Sequence, residues 1–347
     1  MPIVKAEDLE ARTARIFIAR GVPPADAAWV ATLLVRANLR GHDSHGVIRV
    51  AQYVASMEKG ETNPTPQIRV LSETPTTAMI DGDQGFGQVV ARRGMELAIA
   101  RARASGLTAV TLQNTNHLGR LADYVELAAL AGLVGLMWVN APLSLGVAPW
   151  GGAARRLGTN PHAVGVPGPD GPAMLLDFAT SVVAEGKMRV KFNRKEQAPP
   201  GWMLDADGYP STEPPKFYGP PKGSLITMGE HKGFGLSLAV EILAGILSGT
   251  GAAQEKAGPV RNGTMMLAID PERFLPLESF HRQVAELFAW VKSVPLAQSS
   301  KGIMIPGEPE ARMEAERRAN GIFVEDETWG QIEAAEQGAK RPTPFQV

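Results

Sequence analysis

The chain changes its periodicity at about residue 68, and this change constrains the fold more than any other feature. Before it, apolar residues recur at helical spacing. Leu9, Thr13, Ile16 and Phe17 form one mostly apolar stripe closed by Gly21. A second helix opens on Pro23-Pro24 and runs through Trp29, Leu33 and Leu34 to Gly41, and a third is expected from about Gly46 to Lys59. After the change come short strands at 68–70 and 78–80, a helix over 88–104, a β-branched strand from Thr108 to Leu112, a helix from Leu121 to Ala131 and a strand from Val134 to Val139. The stretch 140–169 reads as loop, Met174 to Asp177 as a buried strand, and 196–224 as an ordered, irregular cover. Leu236 to Leu247 is the most apolar helix, Gly263 to Ile269 a strand, and helices are expected near 277–291, 309–320 and 327–337. Helices come first, strands mixed with helices next, and helices again, in three parts over 1–67, 68–275 and 276–347.

The chemistry gathers in polar turns. Gly41-His42-Asp43-Ser44-His45-Gly46 packs two imidazoles, a carboxylate and a hydroxyl between two glycines, and Arg49 and Tyr53 follow at helical spacing on one face. A second histidine turn, Asn114-Thr115-Asn116-His117-Leu118-Gly119-Arg120, joins a strand end to a helix start, a common place for catalytic groups. An imidazole titrates near neutrality and a guanidinium grips a carboxylate two-pronged, so these residues suit proton transfer to an oxygen beside a carboxylate. The bland alternative is a polar interhelical turn in which Asp43 or Ser44 caps the next helix.

Absent motifs narrow the chemistry further. No Gly-x-Gly-x-x-Gly follows a strand, no phosphate-binding P-loop surrounds Gly186-Lys187, and no Gly-x-Ser-x-Gly elbow is present. With no cysteine, thiol nucleophiles, disulfides and thiolate metal sites are excluded, and His42 with His45 lacks a further metal ligand nearby, so no metal is expected. The net charge of −1 gives no electrostatic footprint for nucleic acid or an anionic membrane. No run reaches the roughly 18 uncharged apolar residues of a membrane span; the longest candidate, Gly235 to Gly249, carries Glu241. The N-terminus lacks an apolar signal core, and a cytoplasmic protein is expected. From the residues alone, the reading ends at an acid/base enzyme acting on a small anion.

At these motifs the chain resembles the malate/L-lactate dehydrogenase family that lacks a conventional Rossmann fold, which also includes ureidoglycolate, sulfolactate and diketogulonate oxidoreductases. The resemblance is carried by Asp43-Ser44-His45-Gly46, Asn116-His117-Leu118-Gly119, Gly158-Thr159-Asn160-Pro161, Asp177-Phe178-Ala179-Thr180-Ser181, Gly186-Lys187 and His231-Lys232-Gly233. Their order and spacing match from about residue 5 to 330, and 37–43 with 229–232 look most like the hydroxycarboxylate dehydrogenase branch.

The resemblance implies an α+β fold with a mixed-sheet domain over 68–275 that binds cofactor and substrate, the helical N- and C-terminal parts packed together, and no classical Rossmann fold. It further implies a homodimer using NAD, or alternatively NADP, to interconvert a small 2-hydroxy acid and a 2-oxo acid. His117 and His45 are the implied proton-handling residues, and Ser44, Arg49 and Tyr53 the substrate pocket. Implied dinucleotide contacts are His45, Arg120, Leu121, Ala122, Thr159, Asn160, Leu176, Asp177, Phe178, Ala179, Thr180, His231, Lys232, Asn262, Gly307, Glu308, Pro309 and Glu310. Two departures stand out: Val139-Asn140-Ala141 replaces a common Thr-Asn-Ser, and His162 replaces a commonly apolar residue. Two alternatives stay open at this level: reduction of a cyclic imino acid at C=N, and a non-catalytic binder of small carboxylates with structural histidines.

Overall fold

The computed structural model describes residues 2–338 except 257 and 260, so positions 339–347 of the expected C-terminal part lie outside it. A short strand β1 (Ile3–Val4) leads into α1 (Ala6–Ile18) and α2 (Pro24–Leu39). The third helix, α3, covers Val50–Glu58 and starts later than its periodicity suggests. The chain first makes two tight 3-10 turns because Val47 donates its backbone N–H to Asn38 Oδ1 at 2.8 Å, wrapping the segment around the end of α2.

The middle of the chain builds a seven-stranded sheet from β2 (Arg69–Glu73), β3 (Thr77–Asp81), β4 (Leu107–Thr115), β5 (Val134–Asn140), β6 (His162–Gly168), β7 (Gly171–Phe178) and, later, β11 (Asn262–Ile269). Helices α4 (Gly87–Ser105) and α5 (Ala122–Leu130) interrupt the strands. The order is β2-β3-β4-β11-β5-β6-β7, with β3–β4 parallel and the other pairs antiparallel. A mixed sheet of this kind is not the parallel, doubly wound sheet of a Rossmann fold. Two expectations need correction here. Residues 162–168, read as loop, form β6; its inward positions are Ala163, Gly165 and Pro167, too small or too turn-like to register as a hydrophobic alternation. Strand β7 is half-buried along its length rather than buried, because it is the sheet edge.

The expected motif at Glu185-Gly186-Lys187 opens a helix, α6 (Glu185–Asn193). The irregular cover contains β8 (Met203–Leu204), β9 (Pro210–Ser211), α7 (Pro214–Tyr218) and β10 (Ser224–Leu225), packed on a small core of Val147, Leu157, Met188, Met203, Phe217 and Leu225. Helix α8 (His231–Val240) begins before Leu236 and continues as a π-helical segment, Glu241–Ile246. The chain closes with α9 (Leu277–Lys292), α10 (Glu308–Asn320), β12 (Ile322–Phe323) and α11 (Asp326–Glu336).

Two larger cores fix the site between them. One joins α4 and α5 to the sheet through Val90, Met95, Leu112, Tyr124, Val125, Met137 and Met266. The other gathers Leu9, Phe17, Leu34, Val50, Tyr53, Phe86 and Ile332, and Trp29 and Ile68 touch both. Each fully buried side chain of this size is worth about 1.5–3 kcal/mol. Charge reinforces the seam: Arg40 bonds both oxygens of Glu126 at 2.8 and 3.0 Å and Glu314 at 2.7 Å, tying α2, α5 and α10 together. Strand β12 pairs with β1, and α11 packs on α1 and α3. Helix α9 lies against β6 with an apolar outer face, on which Leu287 is 54% and Trp290 73% exposed. Among the described residues no helix is long and apolar enough to cross a membrane.

Candidate active site

The first histidine turn is held from both ends of the sequence. Asn38 donates Nδ2–H to Asp43 Oδ1 at 2.7 Å, and Arg317 of α10 grips both Asp43 oxygens at 2.6 and 3.2 Å. Neither Asp43 nor Ser44 caps a helix; Asp43 instead ties the turn to α2 and α10. Ser44 Oγ lies 3.0 Å from His45 Nδ1. Arg49 donates Nε–H to the Ser44 carbonyl at 2.7 Å and an Nη1 hydrogen to Gln52 at 2.8 Å, so its guanidinium is oriented before any ligand arrives. Helix α6 covers the same turn at Gly186, where a Cβ would lie 2.3 Å from Ser44 Cβ. On the same face of α6, Arg189 lies 3.2 Å from Glu185 and stacks on Tyr218.

The second turn is pinned as tightly. Asn116 is buried and donates to the Gln84 carbonyl at 2.6 Å, while the Leu118 N–H donates to Asn262 Oδ1 at 3.2 Å. Helix α4 starts directly against this turn: a Cβ on Gly87 would stand 2.5 Å from the His117 carbonyl. The fold thereby brings His45 and His117 together, with ring centroids 5.6 Å apart and planes at 21°. Tyr53 lies 2.8 Å from His117 Nδ1 through its hydroxyl, which also accepts from Gln88 Nε2 at 2.7 Å.

Burial dominates the electrostatics. Desolvation, followed by the charge of Arg49, pulls His45 down to about 3 and holds His117 well below the ordinary imidazole value. Burial pushes the Tyr53 phenol up to about 12. The free site therefore contains two neutral imidazoles beside a fixed cation. A carboxylate on Arg49 offsets that cation and makes protonating either ring easier.

The segments matched to dinucleotide contacts adjoin one another. The Ala122 N–H donates to Asp177 Oδ2 at 2.9 Å, Thr180 donates its N–H and hydroxyl to the Thr159 carbonyl at 2.9 and 3.0 Å, and the Met228 N–H donates to the Thr180 carbonyl at 2.9 Å, just before α8. Asn160 donates to Glu241 at 2.8 Å and to Ser237. Asn262 donates to the Asn140 carbonyl at 3.0 Å. The loop before α10 joins β7 where Leu175 donates to the Pro306 carbonyl at 2.9 Å, and Glu310 meets His42 at 3.3 Å. His231 and Lys232 stand exposed at the start of α8, with His231 beside Trp150. Leu121 is buried and its carbonyl accepts from Tyr124 N–H at the start of α5, and Phe178 packs edge-on to His162, which stacks on Trp138. Arg120 is bonded to Asp123 at 2.9 Å, and its buried Nε has no partner among the described residues.

This donor set fits a dinucleotide. The Lys232 ammonium at the start of α8 suits a phosphate, the carboxylate of Glu310 suits ribose hydroxyls, and an unsatisfied guanidinium N–H on Arg120 suits a further acceptor. No group of three or more His, Asp or Glu positioned to hold a metal ion occurs among the described residues.

Two residues escaped the sequence reading. Glu241 is buried, accepting from Asn140, Asn160 and the Ala253 N–H, and as the lone charge in the longest apolar run it carried a signal. Gln88 carried none.

The fold defines an α/β protein with a mixed sheet, outside the conventional dinucleotide-binding class, with its two histidine turns closed against each other. Residues 4–333 match the family model described as malate/L-lactate dehydrogenase, and the chain belongs to that family of hydroxy-acid oxidoreductases. It is 36% identical over 338 residues to hydroxycarboxylate dehydrogenase B of Escherichia coli, covering 96% of this chain and 93% of the relative. It is 37% identical over 320 residues to the L-sulfolactate dehydrogenase of Methanocaldococcus jannaschii, covering 90% of each. The solved structure of malate dehydrogenase from Pyrococcus horikoshii superposes with a TM-score of 0.88 at 35% identity, over 98% of this chain and 96% of that one. A Δ1-piperideine-2-carboxylate reductase from Pseudomonas syringae pvar. tomato superposes with a TM-score of 0.84 at 26% identity, over 96% of this chain and 100% of that one.

Proposed function

We propose that the protein is an NAD(P)-dependent dehydrogenase that interconverts a small 2-hydroxy acid and its 2-oxo acid, with histidine acid/base catalysis. The observation that carries this reading is the stacked His45–His117 pair beside Arg49, with the Tyr53 hydroxyl bonded to His117. Arg49 holds the substrate carboxylate, and Ser44 orients His45 through Nδ1. His117 hands a proton to the C2 oxygen in reduction and takes it back in oxidation. The nicotinamide cofactor, held by the segments at 120–122, 159–160, 176–180, 231–232, 262 and 307–310, supplies or accepts the hydride. His45 borders both substrate and cofactor. Helix α6, packed on Ser44 at Gly186, covers one side of the His45 turn.

The test is loss of reduced-cofactor absorbance with NADH and with NADPH across a panel of 2-oxo acids and cyclic imines, together with quenching of tryptophan emission on cofactor binding. Turnover of a 2-oxo acid is expected. Quenching by neither cofactor would leave a non-catalytic carboxylate binder. The likeness to the piperideine-carboxylate reductase favours one second reading, reduction of a cyclic imino acid at C=N, and imine turnover without 2-oxo acid turnover would select it.

We also propose a cytoplasmic homodimer in which the helical N- and C-terminal parts form a unit distinct from the mixed-sheet domain. Two outward apolar faces support dimerisation. One is Leu238, Ile242 and Ile246 along α8 and its π-helical continuation, with exposures of 41, 56 and 58%; the other is the outer face of α9. Light scattering at micromolar concentration should give twice the 37.0 kDa chain mass, and a monomer mass would overturn it.

A further inference from the structure

The hydrogen-bond chain behind His117 ends in an unpaired atom. Gln88 is fully buried and donates Nε2–H to the Tyr53 oxygen at 2.7 Å, yet its own Oε1 has no hydrogen-bond partner among the described residues. A buried amide oxygen left unpaired is costly, so its retention calls for a reason. With the amide N–H on the Tyr53 oxygen, the hydroxyl hydrogen points to His117 Nδ1 at 2.8 Å. A neutral ring then keeps its proton on Nε2. In that tautomer Nε2 cannot accept a proton.

Rotating the carboxamide half a turn exchanges Nε2 for Oε1. Tyr53 then donates to Gln88, its oxygen accepts Nδ1–H, and the lone pair of His117 moves to Nε2. We propose that Gln88 is a positioning residue for the acid/base step: rotation of its buried amide, relayed through the Tyr53 hydroxyl, selects the His117 tautomer whose Nε2 exchanges a proton with the substrate oxygen. In oxidation the substrate O–H bond breaks and Nε2–H forms, leaving an imidazolium whose Nδ1–H stays on Tyr53; reduction reverses this. The inference rests on the histidine acid/base reading of the site.

The surroundings leave the task to Gln88. The titratable and charged groups facing His117 are His45 and Arg49 from the first turn and Tyr53 from α3; Arg261, preceding β11, is bonded to the neighbouring Asn116. Helix α4 presents only the Gln88 amide to the Tyr53 hydroxyl. The Tyr53 ring is otherwise enclosed by Phe17 and Phe86, which accept no hydrogen bond of comparable strength. The carboxamide of a glutamine offers a donor and an acceptor related by half a turn. A carboxylate would hold the accepting direction, and an apolar side chain would remove it.

Gln88→Met and Gln88→Glu separate these cases, because they should move the pH profile in opposite directions. Gln88→Met is expected to lower kcat about 10–100-fold, a fraction of the full acid–base contribution of about 10²–10⁴. Its KM should change little, and the pKa governing kcat should fall. Gln88→Glu should keep more of the activity and raise that pKa. Wild-type kcat and pKa in both variants, or shifts in the same direction, overturn the proposal. Should Gln88→Met not fold, ¹⁵N shifts of His117 in the wild type decide it. The free protein should carry the proton on Nε2, and the complex with oxidised cofactor and trifluorolactate, a 2-hydroxy acid that resists oxidation, on Nδ1; one unchanged tautomer overturns it. An active His117→Ala enzyme would instead sink the acid/base reading itself. An inactive His117→Ala enzyme with unperturbed Gln88 variants sinks only the role of Gln88.

Discussion

Replacing His117 with alanine is expected to lower kcat for 2-oxo acid reduction about 10²–10⁴-fold, the usual contribution of a positioned general acid. Hydride delivery to a ketone builds negative charge on oxygen, and a nearby imidazolium both stabilises that charge and supplies the proton. His117 is suited to this role because its ring is fixed on one side by Tyr53 at 2.8 Å and faced by His45 on the other. Cofactor binding should survive, so tryptophan quenching by NADH or NADPH should persist in the variant. The pH profiles supply an independent check. In the free enzyme the ring is held below its ordinary value by burial and by Arg49. Oxidation of the hydroxy acid needs the neutral base, so kcat/KM in that direction should stay high to below pH 6.5 before falling. Reduction needs the protonated ring, so its kcat/KM should fall as pH rises. The pKa seen in kcat should be higher than that in kcat/KM, since bound carboxylate offsets Arg49. A near-wild-type kcat for His117→Ala would move the acid role to His45, and activity in both single variants would remove the histidine mechanism.

Arg49→Ala should act mainly through KM, raising it about 10–100-fold, the range of a charge-assisted hydrogen bond to a carboxylate. That contact exists in both the ground state and the transition state, so its loss removes uniform binding. Some loss of kcat is expected as well, because a substrate no longer anchored at its carboxylate misplaces C2. The variant carries a second, opposite signature. Arg49 follows burial as a cause of the low values of both His45 and His117. Removing its charge should therefore raise the pKa seen in kcat/KM toward the ordinary imidazole value. An unchanged KM in Arg49→Ala, with the protein folded, would place the carboxylate elsewhere.

Much of this architecture was legible before any coordinates. The helical stripes of α1 and α2, the strand–turn–helix around His117 and the late helices all follow local periodicity, which depends only on side-chain spacing along the chain. The elements that were missed share a cause. β6 hides its inward face behind Ala163, Gly165 and Pro167, and the start of α3 was displaced by an amide bond from Asn38 that no local pattern announces. The most apolar helix of the sequence, α8 with its π-helical continuation, turns Leu238, Ile242 and Ile246 outward, which its composition alone does not announce.

The site divides in the same way. The sequence alone determined which groups are available: histidines in glycine-bounded turns, an arginine and a tyrosine one helical turn apart, no cysteine and no dinucleotide glycine fingerprint. These are properties of residue type and spacing, and they are complete in one dimension. Only the tertiary structure decided that His45 and His117 stack, that Arg317 holds Asp43, that Glu241 ties Asn140 to Asn160, and that Gln88 lies behind Tyr53. Each of these pairs is separated by tens to hundreds of residues, and each acts through desolvation or hydrogen-bond direction. Both depend on what surrounds an atom in space, and the imidazoles fall below their ordinary value only because the fold packs them together beside Arg49.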